Sequence, residues 1–216
     1  MSNANAGGLP ARYEDIYRQG GHAALVEAQR FLMGESAVQE SLVRIAKKLD
    51  ELGIPYAICG GMSLVAHGYN RTTIDVDILV SAESLKRIHK SLDGLGYVPP
   101  FAGSKHLRDT ATNVRIEFLV SGGYPGDGKP KPVQFPLPEA ASVEINGIRY
   151  LSLPRLIELK LASGMTAPGR LKDFADIQEL VKVLQLSDEI AVELSEYVRP
   201  TFLKLAKEAR ESDAQE

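Results

Sequence analysis

A single cysteine, Cys59, occurs in 216 residues, which excludes an internal disulfide and leaves the fold to be held by its core. Cys59 sits in a short apolar run and is expected to be a small core side chain rather than a reactive thiol. No apolar run approaches the roughly 18 residues of a membrane span, and no charged-then-apolar leader opens the chain, so the cytoplasm is the expected compartment. Neither sign of charge dominates: 25 Lys+Arg stand against 28 Asp+Glu, a net −3. That balance argues against a broad nucleic-acid footprint, and no basic patch interleaved with aromatics offsets it. A loop of the form G-x-x-x-x-G-K-[ST] is also missing, which disfavours P-loop kinases and ATPases. What remains is 44% hydrophobic and 25% charged residues, ordinary for a globular protein. The length suffices for one well-buried domain or for a core domain with a small helical addition.

The chemistry concentrates in residues 56–80, YAICGGMSLVAHGYNRTTIDVDILV. Residues 56–59 read as a short buried strand that stops at Gly60-Gly61, where a tight strand-to-helix turn is expected. Residues 62–67 then read as the start of a helix, so backbone N–H groups around Gly61, Met62 and Ser63 are expected to face an anion at a helix N-terminus. Residues 74–80 are β-branched and apolar and predict a second strand. Its period-two alternation turns Ile74, Val76 and Ile78 to the core and leaves Arg71, Thr73, Asp75 and Asp77 on the other face. Two neighbouring carboxylates resist burial unless a cation or hydrogen bonds compensate. Hard oxygen ligands of this kind suit Mg²⁺, which is held by one or two carboxylates together with substrate phosphates. An isolated Asp-x-Asp is more often a solvated strand end; the glycine turn upstream favours a site.

Gly60-Gly61 followed by Arg71-Thr72-Thr73-Ile74-Asp75-Val76-Asp77 resembles the signature of the DNA polymerase β-like nucleotidyltransferase superfamily. Its small bacterial members include aminoglycoside nucleotidyltransferases and the enzymes of toxin–antitoxin and abortive-infection systems, and the arginine–threonine form is similar to the toxin-related branch. The resemblance covers roughly residues 54–184. A second block is similar too, with Lys160 followed by Arg170-x-Lys172-Asp173-x-x-Asp176. In residues 114–120, Val114, Ile116, Phe118 and Val120 share one face of a predicted strand and Arg115, Glu117 and Leu119 the other. The resemblance implies that Glu117 joins the first two acids as metal ligand or base; an ion pair with Arg115 or a neighbour is the competing explanation. It further implies that Lys160 approaches the nucleotide phosphates and that Arg170, Lys172 and Asp173 organise their helix against the site, although charges on amphipathic helices are commonly just solvated.

The function implied is magnesium-dependent transfer of a nucleoside monophosphate from a nucleoside triphosphate to a hydroxyl acceptor, with release of pyrophosphate. Asp75, Asp77 and Glu117 are then the catalytic and metal-binding residues, for Mg²⁺ or alternatively Mn²⁺. Gly60, Gly61, Ser63, Arg71, Lys160 and Lys172 are the nucleotide-binding ones. The acceptor stays open among tRNA, a protein side chain and a small molecule such as an aminoglycoside, and a cognate antitoxin is a candidate partner. The rival reading is a non-catalytic toxin–antitoxin or regulatory protein with a vestigial nucleotide site; the intact glycine pair and all three acids count against it.

Elsewhere, residues 1–10 are small, polar and Gly-rich and are expected to form a disordered tail. Helical material over 11–33 is interrupted at Gly20-Gly21. Residues 36–52 predict an amphipathic helix that Ser36 caps, with Gln39 at the capping-box distance. Residues 84–95 predict another, carrying Leu85, Ile88, Leu92 and Leu95 on one face. Residues 104–113, with Lys105, His106 and Arg108, read as a polar connection, either a solvated loop or a flap that touches substrate. Residues 121–138 hold five prolines and four glycines and read as a mobile lip. Asn146-Gly147 predicts a tight hairpin, and Ser152-Leu153-Pro154 a helix start. The expected fold is α+β: a nucleotidyltransferase-like mixed, largely antiparallel sheet flanked by helices over 11–150, then a helical part over 151–216 that walls one side of the cleft.

Overall fold

Gly20 and Gly21 take positive φ, 67° and 69°, and split the N-terminal helical material into α1 (Tyr13–Gln19) and α2 (Gly21–Leu32). The computed structural model describes residues 12–213, so the tail expected over 1–10 lies outside the described residues. Helix α3 (Ala37–Glu51) begins where capping chemistry demands. The Ser36 hydroxyl accepts from the Gln39 N–H at 3.3 Å, and Gln39 Oε1 accepts from the Ser36 N–H at 2.9 Å, which satisfies two otherwise orphaned donors. Strand β1 (Ala57–Ile58) and helix α4 (Gly60–Ala66) then form the expected strand–turn–helix unit, and β2 (Asp75–Val80) follows. Next come α5 (Ala82–Leu92), β3 (Tyr97–Val98), β4 (His106–Asp109) and β5 (Arg115–Val120). After a long irregular segment the chain continues through α6 (Pro138–Ala141) and the hairpin β6 (Ser142–Ile145) and β7 (Ile148–Leu151). Asn146 and Gly147 supply φ of 51° and 77° at its turn, as the dipeptide predicts. Helices α7 (Leu153–Thr166), α8 (Leu171–Val183) and α9 (Arg199–Asp213) complete it. No described helix is long and apolar enough to cross a membrane.

The seven strands form one sheet in the order β3-β4-β5-β2-β1-β7-β6. Pairing is antiparallel except for β2 with β5 and β1 with β7, so the sheet is mixed and largely antiparallel. Each face has its own core. Val76, Ile78, Val80, Ile116 and Phe118 point to one side and pack with Val38, Leu42, Ile45 and Leu49 of α3. Leu79, Ala57 and Leu151 point to the other, where α7, α8 and α9 cover them through Leu156, Ile157, Ile177, Leu180 and Phe202. Cys59, 2% exposed, belongs to that second core, and burial pushes its thiol pKa well up. The helices thus seal the apolar half of this face, and the half carrying the acids opens into a cleft.

Two expectations need correction. The helix expected over 84–95 is α5, which starts at Ala82 because the Ser81 hydroxyl caps it through the Ser84 N–H at 3.0 Å. It ends at Leu92, and Leu95 is 73% exposed, because Gly94 and Gly96 turn the chain with positive φ. Within 104–113 the structure has strand β4 rather than a polar connection: Leu107 and Asp109 are buried while His106 and Arg108 are not. The alternation was hidden because one inward position is an acid. Asp109 is tolerated there by the Ser41 hydroxyl at 3.0 Å and by Arg44 Nε at 3.3 Å.

Strand β4 also anchors the N-terminal helices, since Arg108 donates to Glu14 at 2.8 and 3.0 Å. That guanidinium, against some opposing desolvation, holds the Glu14 carboxyl down at about 2. A depressed folded-state pKa stabilises the fold above the unfolded-state value and ceases to do so as pH falls through the folded one. Glu14→Gln is therefore expected to lower stability by about 2 kcal/mol at pH 7. In urea unfolding the gap to wild type should close as pH drops from the ordinary glutamate range, about 4.3, toward 2; a gap independent of pH would contradict the ion pair's contribution.

Candidate active site

Strands β2 and β5 pair in parallel with Asp77 opposite Glu117 and Asp75 opposite Arg115. Alternate residues share a face, so these four stand on the cleft side of the sheet. One carboxylate oxygen from each of Asp75, Asp77 and Glu117 lies within 4.8 Å of the other two. The glycine turn makes room for them. Gly60 has φ +58°, and a Cβ there would overlap Asp77 Oδ2; a Cβ on Gly61 would stand 2.7 Å from Thr73 Cβ. Thr73 in turn donates to Asp75 Oδ1 at 3.1 Å. This steric need for two glycines comes in addition to the phosphate-facing role expected from the sequence.

Crowding shows in the ionisation of Asp77, whose pKa is pushed up to about 7 by burial first and then by the charges of Asp75 and Glu117. A counter-charge comes from the neighbouring strand position. Arg115 Nη2 is 2.6 Å from Asp75 and 3.6 Å from Glu117. His106, opposite Glu117 on β4, places Nδ1 3.7 Å from it. The ion pair offered as the competing explanation of Glu117 is therefore present, and it coexists with the acid's place in the cluster.

Across the cleft, Lys160 of α7 is buried and donates to Asp173 at 3.0 Å and to Asp176 at 2.6 Å, both on α8. Arg71 Nε lies 3.0 Å from the second oxygen of Asp176. Two cations thus meet two carboxylates, the pairing that buried charges require. The hub of this group, Asp176, is a residue that the sequence pattern does not single out; its spacing of three from Asp173, which puts both on one side of a helix, is the signal for it. Lys172 and Arg170 stand exposed at the cleft edge, and among the described residues no ion pair holds either. The Lys172 ammonium pKa is lowered, chiefly by partial burial and next by Arg71.

Gly60, Gly61, Arg71, Asp75, Asp77, Glu117, Lys160 and Lys172 all border one cleft of about 560 Å³. Ser63 does not reach it. Its residue is fully buried, its N–H bonds the Cys59 carbonyl at 3.2 Å, and its Oγ is enclosed without a partner. The helix turns its side chain inward, away from the cleft. The segment 121–138 borders the cleft through Pro125, Gly126 and Phe135 and is tied down: Lys131 Nζ donates to the Pro125 carbonyl and Asp127, both at 2.5 Å, and to Thr166 of α7 at 3.1 Å.

Acids delivered to one face by parallel neighbours, beneath a glycine turn, are the arrangement that the resemblance of the sequence implies, and the class of this protein is that of the nucleotidyltransferases. Over residues 24–197 its sequence matches the family described as "Uncharacterised nucleotidyltransferase", and the chain belongs to that family. Among solved structures, the solution structure of the antibiotic-resistance factor ANT(2'')-Ia superposes with a TM-score of 0.51 at 15% identity, covering 82% of this chain and 98% of that one. JHP933 from Helicobacter pylori matches at 18% identity, with 79% and 88% coverage and a TM-score of 0.45. The lincosamide antibiotic adenylyltransferase LnuA matches at 17% identity, with 67% and 96% coverage and a TM-score of 0.45. At such identities the likeness to ANT(2'')-Ia is one of fold. No curated protein sequence matches the chain.

The strain at the acids is measurable. A group whose folded-state pKa is raised favours folding below its unfolded value, about 3.9 for aspartate, and that contribution is lost as pH rises through about 7. Asp77→Asn removes the charge that causes the loss. At pH 8 without added metal it is expected to raise Tm by roughly 3 °C or more, and at pH 4 to change it little; an unchanged or lower Tm at pH 8 would contradict the repulsion. Gly60→Ala, which combines the overlap with Asp77 and a left-handed backbone, is expected to cost about 2 kcal/mol or more in thermal or chemical unfolding.

Proposed function

We propose that the protein transfers a nucleoside monophosphate from a nucleoside triphosphate to a hydroxyl acceptor and releases pyrophosphate. The observation that carries this reading is the convergence of Asp75, Asp77 and Glu117 within 4.8 Å in the same cleft as Arg71, Lys160 and Lys172. An all-carboxylate set of hard oxygen donors fits Mg²⁺, or Mn²⁺, and the raised pKa of Asp77 marks a cluster short of positive charge. A divalent cation bound by these three residues would supply charge neutralisation at the transferred phosphate and acidify the attacking hydroxyl.

The chain's own residues account for the rest. In the reaction the acceptor oxygen forms a bond to the α-phosphorus, the bond from that phosphorus to the bridging oxygen breaks, and pyrophosphate leaves with the electron pair. Glu117, more exposed than Asp75 at 32% against 18%, takes the hydroxyl proton in this reading. Gly60 and Gly61 present backbone rather than side chains to the triphosphate, which allows close approach. Arg71 and Lys172 offset its charge. Lys160, oriented by Asp173 and Asp176, contributes a fixed ammonium at the floor of the opposite wall, and pre-set groups of this kind act without reorganising during reaction.

Incubation with an α-labelled triphosphate, Mg²⁺ and a mixture of RNA, protein and small-molecule acceptors tests the proposal. Label transfer is expected for the wild type, to vanish on chelation, and to fall roughly 100-fold or more for Asp77→Ala. Transfer by Asp77→Ala at the wild-type rate would overturn the assignment. Asp77→Asn, expected to be the more stable variant in metal-free buffer at pH 8, separates lost chemistry from lost folding.

A further inference from the structure

Helix α7 presents Leu156, Leu159, Lys160 and Ser163 to the cleft, the spacing of one helical face. Three of these have an evident part in packing or charge. Ser163 has none: the residue is 6% exposed, and its Oγ finds no hydrogen-bond partner. A buried hydroxyl left without a partner costs about 1–3 kcal/mol and calls for an explanation. The usual local remedy, bonding a carbonyl one turn back in the helix, is not taken, although Thr166 takes it with the Ala162 carbonyl at 2.8 Å.

The segment facing Ser163 is built for close approach. A Cβ on Gly126 would lie 2.9 Å from the Ser163 carbonyl and would overlap Thr166 Oγ1, and Gly126 has φ +74°. The Lys131 ammonium, with its side chain only 5% exposed, pins this segment to Thr166. Pro125 and Phe135 from the segment and Leu156 and Leu159 from α7 therefore border a preformed apolar slot with one unclaimed hydroxyl. Such a slot suits a flat group with apolar faces and a polar edge. It does not suit a triphosphate, whose counter-charges Arg71 and Lys172 come from other elements. Ser163 stands about 5 Å along the helix from Lys160, within the span of a single nucleotide.

Building on the proposed function, we infer that this slot receives the nucleobase of the donor nucleotide. Phe135 lies against the base's face, and Ser163, after a χ1 rotation between staggered wells, hydrogen-bonds its edge and so sets the preference among bases. Ser163 is then a specificity determinant, and Phe135 a stacking contact common to all bases.

Calorimetric titration of the full chain in Mg²⁺ tests this with non-hydrolysable analogues of all four triphosphates and with inorganic tripolyphosphate. Ser163→Ala is expected to weaken the preferred nucleotide about three- to tenfold, the worth of one hydrogen bond, and to reduce the spread among the four. Tripolyphosphate affinity should stay as in wild type. Phe135→Ala should weaken all four nucleotides and again spare tripolyphosphate. Removal of an unpartnered hydroxyl from a helix should leave thermal unfolding of Ser163→Ala unchanged or raise its midpoint, which keeps the variant interpretable. Equal loss of nucleotide and tripolyphosphate would make Ser163 a phosphate contact and overturn the inference. Wild-type nucleotide binding by both variants would assign the slot to something other than the base and overturn it as well. A wild-type protein that binds neither nucleotide nor tripolyphosphate would instead bring down the proposed function beneath it.

Discussion

Mutual repulsion among Asp75, Asp77 and Glu117 is the constraint around which the molecule is arranged. Left to themselves the three carboxylates would separate, and the sheet prevents it. Six consecutive residues of β2 pair with six of β5, and Val76, Ile78, Ile116 and Phe118 beneath them are at most 1% exposed. Burying each such side chain is worth about 1.5–3 kcal/mol, which is ample to hold two strands in register against a few close charges. The glycine turn completes the restraint, since only a residue without a side chain lets α4 begin so close to Asp77. A site held under this tension is preorganised to receive positive charge.

The opposite wall follows a different electrostatic logic. Arg71 precedes β2, Lys160 lies on α7, and Asp173 and Asp176 lie on α8, so their buried contacts join three separate parts of the chain. Buried ion pairs contribute little net stability, because desolvation consumes most of the attraction. Their value in this fold is geometric: they fix the distance from the helical part to the strand that carries the acids. With that group internally balanced, the cations of the cleft that no described ion pair holds are Lys172 and Arg170 at its edge. The pinned segment 121–138 closes the third side, and its proline and glycine content serves close packing against α7.

Much of the fold was legible in the sequence because its determinants are local. The Ser36–Gln39 box, the Asn146-Gly147 turn and the break at Gly20-Gly21 each depend on a few adjacent residues, and all three stand where the sequence puts them. Strand β4 escaped notice because Asp109 occupies an inward position, and its partners Ser41 and Arg44 lie far away in sequence. The excess length assigned to α5 has a similar origin: Leu95 continues the apolar period, but the glycines flanking it turn the chain away from the core.

The candidate site divides along the same line. Alternation within one strand sufficed to place Asp75 and Asp77 side by side on a face opposite the core, since a period of two is a property of the strand itself. Whether Glu117 joined them depended on the parallel register of β2 with β5, which is settled by packing across the whole sheet. Long-range packing also decided that Ser63 turns inward, that Lys160 is clasped by two aspartates, and that Ser163 is left with an unanswered hydroxyl. Periodicity fixes which way a side chain points from its own element, and only the assembled elements decide what it meets there.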